Sequence, residues 1–355
     1  MFLEMKDEYV NKELAEVRNK MQNVERLKYV ANITAGYYPM HSRAFTLKDC
    51  PVRGGQIIEG YSEVLKQYVI IERDAVRPII SPSVVQDFVD ADHQHYSTCL
   101  ITADHRAPDF AERYPLAASY LHQCVKADSG GIIGRDTLIR PNLRDAIDKK
   151  KVIISTLGNI CHAMLDKESH VVTTLSTYLC TSIYADFQVM KAYMSIFNSQ
   201  LFSYLLYHEL KGANKPNYSR LGAVADMYVP CKTEDFTILE DIAECLLYLS
   251  RPDIPQLSYR ISNDRLGYYM TKIMDMVVYE LYFPDYVKER GLDVIRYMLQ
   301  APFMVTMMKE EDRILETYAW FQRPDNIIRQ KIELLDTRSP ELLYQIQTFV
   351  PNEQD

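Results

Sequence analysis

From Phe187 onward positions 187, 190, 194, 197, 201, 205 and 208, apolar but for His208, recur at steps of three or four. That spacing predicts one long amphipathic helix ending near Lys211 and Gly212. Beyond Pro230 the chain reads as wholly helical, with candidate helices over 238–249, 266–283, 286–299, 311–320 and 326–335, punctuated by Pro252, Pro284, Pro302, Pro324 and Pro340. Upstream the pattern is different. Short strand-like pieces at 69–71, 97–102, 152–155 and 171–174 are separated by Gly, Pro, Asp and Asn. A chain divided in this way is α+β: a mixed α/β region of irregular loops followed by an all-helical C-terminal region.

Two further helices are expected in the first half. Residues 3–28 read as one long N-terminal helix, because Leu3, Val10, Leu14, Val17, Met21 and Val24 form a narrow apolar seam with charged flanks. Such a seam either packs on its own domain or docks on another subunit. Asp109 to Val125 reads as a helix with Pro115 in an early turn and Leu116, Tyr120, Leu121 and Cys124 at helical spacing. The expected layout is a docking helix at 1–28, a mixed domain at 29–235 and a helical region at 236–355.

At 355 residues the chain exceeds a typical single core, and 47% apolar content suffices to bury about two. Seven scattered cysteines, none in a Cys-x-x-Cys pair, argue for reduced thiols and a cytoplasmic protein. Charged residues interrupt every apolar run before the ~20 residues that a bilayer crossing needs, so no membrane span is expected.

Charge is uneven along the chain. Residues 1–230 balance 26 Lys and Arg against 26 Asp and Glu, whereas 231–355 carry 14 against 22, which gives the net −8. An acidic region does not seek phosphate, so any nucleic-acid contact is expected in the first two thirds. Two segments there are locally basic. Residues 126–151 hold Lys126, Arg135, Arg140, Arg144, Lys149, Lys150 and Lys151 against four acids, and 211–220 hold Lys211, Lys215 and Arg220 against none, beside Asn217 and Tyr218. Arg, Lys and Asn on loops suit phosphate contact and base-edge readout.

Catalytic patterns are scarce. The sequence contains no Asn-Pro-Pro-aromatic or Asp-Pro-Pro-aromatic tetrapeptide, no glycine-rich nucleotide turn after a strand and no P-loop. Asp92, His93 and His95, with Cys99, Asp104 and His105, form the best metal candidate, but no second compact ligand pair accompanies them. Of the four Pro-Asp steps, none leads into an acidic-x-Lys element of the nuclease kind. No metal and no cofactor are expected.

Landmarks in order then suggest a relation. They are Leu27 to Gly36, Val76-Arg77-Pro78-Ile79-Ile80, Glu112 to Leu121 with its Tyr114-Pro115, Lys150 to Ser155, and Phe197-Asn198-Ser199-Gln200-Leu201, followed by Ile273 to Tyr282. Together they resemble the specificity region of TaqI-like N6-adenine DNA methyltransferases and of type II restriction-modification enzymes that share it. The aromatic element usual in that family between the Tyr-Pro helix and the Lys-Ile strand is missing from Ser129 to Arg144.

The resemblance implies a target-recognition domain that grips double-stranded DNA and reads its sequence. Catalysis would then reside in a separate methyltransferase or nuclease domain or subunit, and this chain would not itself be an enzyme. The rival expectations are a helical interaction or scaffold subunit and a metal-dependent nuclease.

Overall fold

The computed structural model describes residues 14–37, 42–50, 55–91, 96–127, 141–157, 160–169, 171–174, 176–183, 187–212, 220–305 and 307–351. As expected, the chain is α+β: the strands fill the first half, and helices account for nearly everything after Phe187.

Three sheets form. β1 (Val24–Arg26) pairs antiparallel with β12 (Tyr228–Pro230). Six strands, β3 (Thr46–Lys48), β4 (Ile57–Ser62), β5 (Gln67–Glu72), β6 (Val76–Ile80), β7 (Thr98–Ile101) and β10 (Val172–Thr173), run in the order β10-β6-β7-β3-β4-β5. Four more, β2 (Ala31–Ala35), β8 (Lys151–Ser155), β9 (His162–Asp166) and β11 (Thr177–Ser182), form an antiparallel sheet in the order β2-β11-β8-β9.

The four-stranded sheet is the middle layer, and alternation along its strands explains how. Ile153, Met164 and Leu179 point into a core shared with the six-stranded sheet. Their neighbours Val152, Ile154, Ala163, Leu165, Tyr178 and Cys180 point the other way, into a core shared with the helices. A strand covered on both faces needs an unbroken apolar run, and Val152-Ile153-Ile154 supplies it. Gly36 follows β2 where this sheet meets β10. A Cβ there would lie 2.2 Å from the Thr174 carbonyl oxygen, so only glycine fits.

The predicted helix over 187–211 is two helices, Gln188–Phe197 and Gln200–Gly212. Apolar spacing continues through the break because both halves face the same core. Polar side chains decide the break. Asn198 turns away to clamp the backbone of β9, accepting from Ala163 N at 2.7 Å and donating to Ala163 O at 2.9 Å. Ser199 Oγ accepts from Phe202 N at 3.2 Å, and the Asp275 carboxylate accepts from Gln200 N at 3.2 Å. These caps start a new helix.

The N-terminal seam also ends early. Residues 14–20 are helical, but Val24 joins β1. Leu14 and Val17 are buried in the chain's own core, so the stretch read as a possible docking stripe packs internally here. The helix expected over 109–125 is split into Phe110–Arg113 and Pro115–Ala127, with the Glu72 carboxylate accepting from Leu116 N and Ala117 N at the second start. The helix expected over 286–299 is Pro284–Glu289 and Ile295–Met298, parted at Gly291 with φ +67. The longest helix, Asn263–Tyr282, runs through the helical core. No described helix is long and apolar enough to cross a membrane, and none of the seven cysteines is in a disulfide.

Candidate nucleic-acid interface

Strand register brings separate basic segments together. Ala31 of β2 pairs with Ser182 of β11, and Cys180 of β11 pairs with Val152 of β8. The β11–β8 ladder ends at that pair, and extending its register by two residues sets Ser182 level with Lys150, just before β8 begins. Three neighbouring strands thus end in one row, and Lys28-Tyr29, Ile183 and Lys149-Lys150 emerge at the same end of the sheet. At the usual strand spacing this row spans ~10 Å.

Lys149 and Lys150 are exposed. Their turn is anchored by Lys151, which the sequence had grouped with the basic surface and which is in fact completely buried. Its ammonium lies 2.5 Å from the equally buried Asp166 and donates to the carbonyls of Ile147 at 2.9 Å and Lys149 at 3.3 Å. Desolvation by burial pulls the Lys151 pKa below its usual value despite Asp166. On the outside of the same turn, Arg77 reaches Asp148 at 2.7 Å and the Ser169 carbonyl at 2.6 Å. The two exposed lysines therefore sit on a fixed base.

On the helical side, Asp226 accepts from Lys28 at 2.7 Å and from Arg26 at 3.1 Å. The hydrogen bond from Lys28, helped by that from Arg26, holds the Asp226 carboxyl below its ordinary range. One carboxylate thus serves two cations. Arg18 and Arg26 both lie against the Tyr228 ring, at 5.8 and 5.6 Å. Tyr29 stands 60% exposed beside Lys28, and Asn32 is exposed on β2.

The helix Arg220–Asp226 runs alongside β2. Its Asp226 end meets Lys28, while its Arg220 end is close enough to Tyr178 to affect it electrostatically. Tyr178 pairs with Ala35, the last residue of β2. Cations therefore mark both ends of this edge strand, ~13 Å apart for five residues of strand. The Pro141–Ile147 helix carrying Arg144 packs against β2 and β11 with Leu143, Ala146 and Ile147 in the other core. On the four-stranded sheet's flanking segments, Arg26, Lys28, Arg144, Lys149, Lys150 and Arg220 stand with Glu25, Asp145, Asp148 and Asp226, and Asp148 is paired with Arg77 of β6. Arg144, Lys149, Lys150 and Arg220 make no ion pair among the described residues.

The expected site residues divide accordingly. The helices of Arg144 and Arg220 pack on β2, and Lys149 and Lys150 emerge two strands away at the start of β8. Lys126 does not join them, because its helix packs on β5, at the far edge of the six-stranded sheet from β10. Arg135, Arg140, Lys215, Asn217 and Tyr218 lie outside the described residues, and the Lys211 backbone closes the Gln200–Gly212 helix. Arg26, Lys28, Tyr29 and Asn32 were not singled out from sequence; Lys28-Tyr29 lay within the Leu27 to Gly36 landmark, where only the order of residues had been used.

The metal candidate does not assemble among the described residues. Asp92, His93 and His95 lie outside them, Cys99 is buried opposite Leu47, and the His105 ring packs at a tilt against Phe45, 5.2 Å between centroids. No group of three or more His, Cys, Asp or Glu among the described residues is placed to hold a metal ion.

No protein-family model matches the chain, and no curated protein matches it. Among solved structures, the chain is similar to the type IIL restriction-modification enzyme MmeI in complex with DNA, at 10% sequence identity and a TM-score of 0.38. The likeness covers 89% of this chain and 37% of that one.

Proposed function

We propose that this protein is a sequence-specific DNA-recognition module of a restriction-modification or DNA-modification system, with the bond-making chemistry carried by a separate methyltransferase or nuclease domain or subunit. The observation that carries the reading is the β2 side of the four-stranded sheet, where Lys28 and Tyr29 on the short helix Leu27–Val30 precede the exposed Asn32, Lys149 and Lys150 emerge two strands away, and Arg220 lies toward the other end of β2. Lysines on rigid supports would hold phosphates, while the amide of Asn32 and the ring and hydroxyl of Tyr29 would meet base edges.

A gel-shift salt series on a duplex of ~25 base pairs tests it. Between about 50 and 200 mM salt, wild-type affinity should fall linearly on a log–log plot, and Lys149→Ala/Lys150→Ala should flatten the slope by about 1.8, or 0.9 for each lost phosphate contact. Equal slopes for the two proteins, or no duplex binding at low salt, would refute the proposal. Labelled methyl donor incubated with the pure chain and duplex should transfer no label.

A further inference from the structure

The acidic C-terminal third contains a local exception to its own charge. Residues 248–272 hold Arg251, Arg260, Arg265 and Lys272 against Asp253 and Asp264 only, together with Tyr248, Tyr259, Tyr268 and Tyr269. They form the corner between the Phe236–Leu249 and Asn263–Tyr282 helices, which meet closely where Leu249 touches the position above Gly267. Arg251 lies 5.0 Å from the Tyr248 ring and Arg265 5.8 Å from Tyr269. None of Arg251, Arg260 and Arg265 makes an ion pair among the described residues.

At the tip of the corner, Tyr259 is 89% exposed. Arg260 Nε donates to its hydroxyl at 3.0 Å and its guanidinium lies over the ring at 5.3 Å, which steadies the ring from one side and leaves the other face to solvent. The loop beneath is braced. Asn263 accepts from Leu257 N and donates to Pro255 O, both at 3.1 Å, and Gln256 donates to Ser258 O and Ile261 O. A large aromatic ring held out in water by a rigid loop, among unpaired guanidiniums, has the two elements of a single-strand platform: a face for stacking and charges for phosphate. Duplex bases are already stacked on each other and offer a protruding ring no partner.

We propose that this corner binds single-stranded nucleic acid, with Tyr259 stacking on an unpaired base and Arg260 and Arg265 contacting the flanking phosphates. The site is separate from the β2 edge. Tyr282, at the other end of the twenty-residue Asn263–Tyr282 helix, donates to the Tyr228 carbonyl in β12, so the corner lies ~29 Å along that helix from the strands near the duplex face.

The test is fluorescence anisotropy of the full chain with a labelled oligothymidylate of about 15 nucleotides, within the span of known single-strand platforms. Tyr259→Ala should weaken binding roughly 5- to 150-fold, the range for losing one base–aromatic stack, while Tyr259→Trp should keep it. Arg260→Ala/Arg265→Ala should flatten the salt slope by about 1.4, at ~0.7 for each single-strand contact. Lys149→Ala/Lys150→Ala should bind the oligothymidylate like wild type, and Tyr259→Ala should bind duplex like wild type, so each of the two sites can fail without the other. No oligothymidylate binding at about 50 mM salt, wild-type binding by Tyr259→Ala, or loss of binding in Tyr259→Trp would each overturn the proposal.

Discussion

Asp275 should make this protein less stable as pH rises, and Asp275→Asn should remove the effect. The residue sits in the middle of the Asn263–Tyr282 helix, 5% exposed and walled by Met276, Tyr279, Ile332 and Leu335. Gln200 N, at the start of the neighbouring Gln200–Gly212 helix, donates to it at 3.2 Å. Burial raises its pKa from an ordinary 3.8 to about 7, with the Gln200 amide and the Lys272 charge opposing the shift only in part. A carboxyl raised in the folded state binds its proton more tightly there than in the unfolded chain. Its contribution is therefore most favourable below the unfolded value, is lost progressively as pH rises to about 7, and stays lost above.

At about 1.36 kcal/mol per pH unit, the full penalty is about 4 kcal/mol at pH 8 and only about 1–2 kcal/mol at pH 5. An asparagine keeps the acceptor oxygen for Gln200 N and never ionises. Urea denaturation of both proteins at the two pH values isolates the term, since every other titration cancels in the difference. Asp275→Asn should gain about 3 kcal/mol on wild type between pH 5 and pH 8. A difference that is the same at both values would show that Asp275 is ionised throughout and that the burial argument is wrong.

Two substitutions check the supports of the site. Asp166→Ala leaves the Lys151 ammonium without the buried carboxylate it pairs with and should cost about 3–5 kcal/mol in urea unfolding; a loss under about 1 kcal/mol would mean that water already reaches it. Asn198→Ala removes both bonds to Ala163 and should cost about 2 kcal/mol, at ~1 for each bond, with faster amide exchange at Ala163 as the local readout.

Much of the fold is legible in residue order. The strands at 69–71, 97–102, 152–155 and 171–174 stand where their β-rich runs put them, and the helices at 238–249, 266–283, 311–320 and 326–335 differ from the observed ones by a few residues at the ends. Breaks were harder to see. Apolar periodicity cannot register the interruption at Asn198 and Ser199, because both helices bury the same stripe while the side chains that separate them bond to β9 and to the backbone. The landmarks behind the family resemblance prove to be mostly core. Val76 to Ile80 is β6, Lys151 to Ser155 is β8, and Asn198 is a clamp, so these residues report packing more than base readout.

Sequence alone determined that the front of the chain is sheet and loop, that the back is helix, and that positive charge gathers in two segments of the front. Those properties follow from neighbours a few residues apart, where periodicity and composition act. Only the tertiary structure decided which cations share a surface. Antiparallel register brought Lys28 and Lys150, over a hundred residues apart in the chain, to the same end of one sheet and buried Lys151 against Asp166, while helix packing sent Lys126 to the far edge of another sheet. Three lysines within three positions of one another differ in role because β8 begins between them, and where a strand finds its partners is a property of the whole chain.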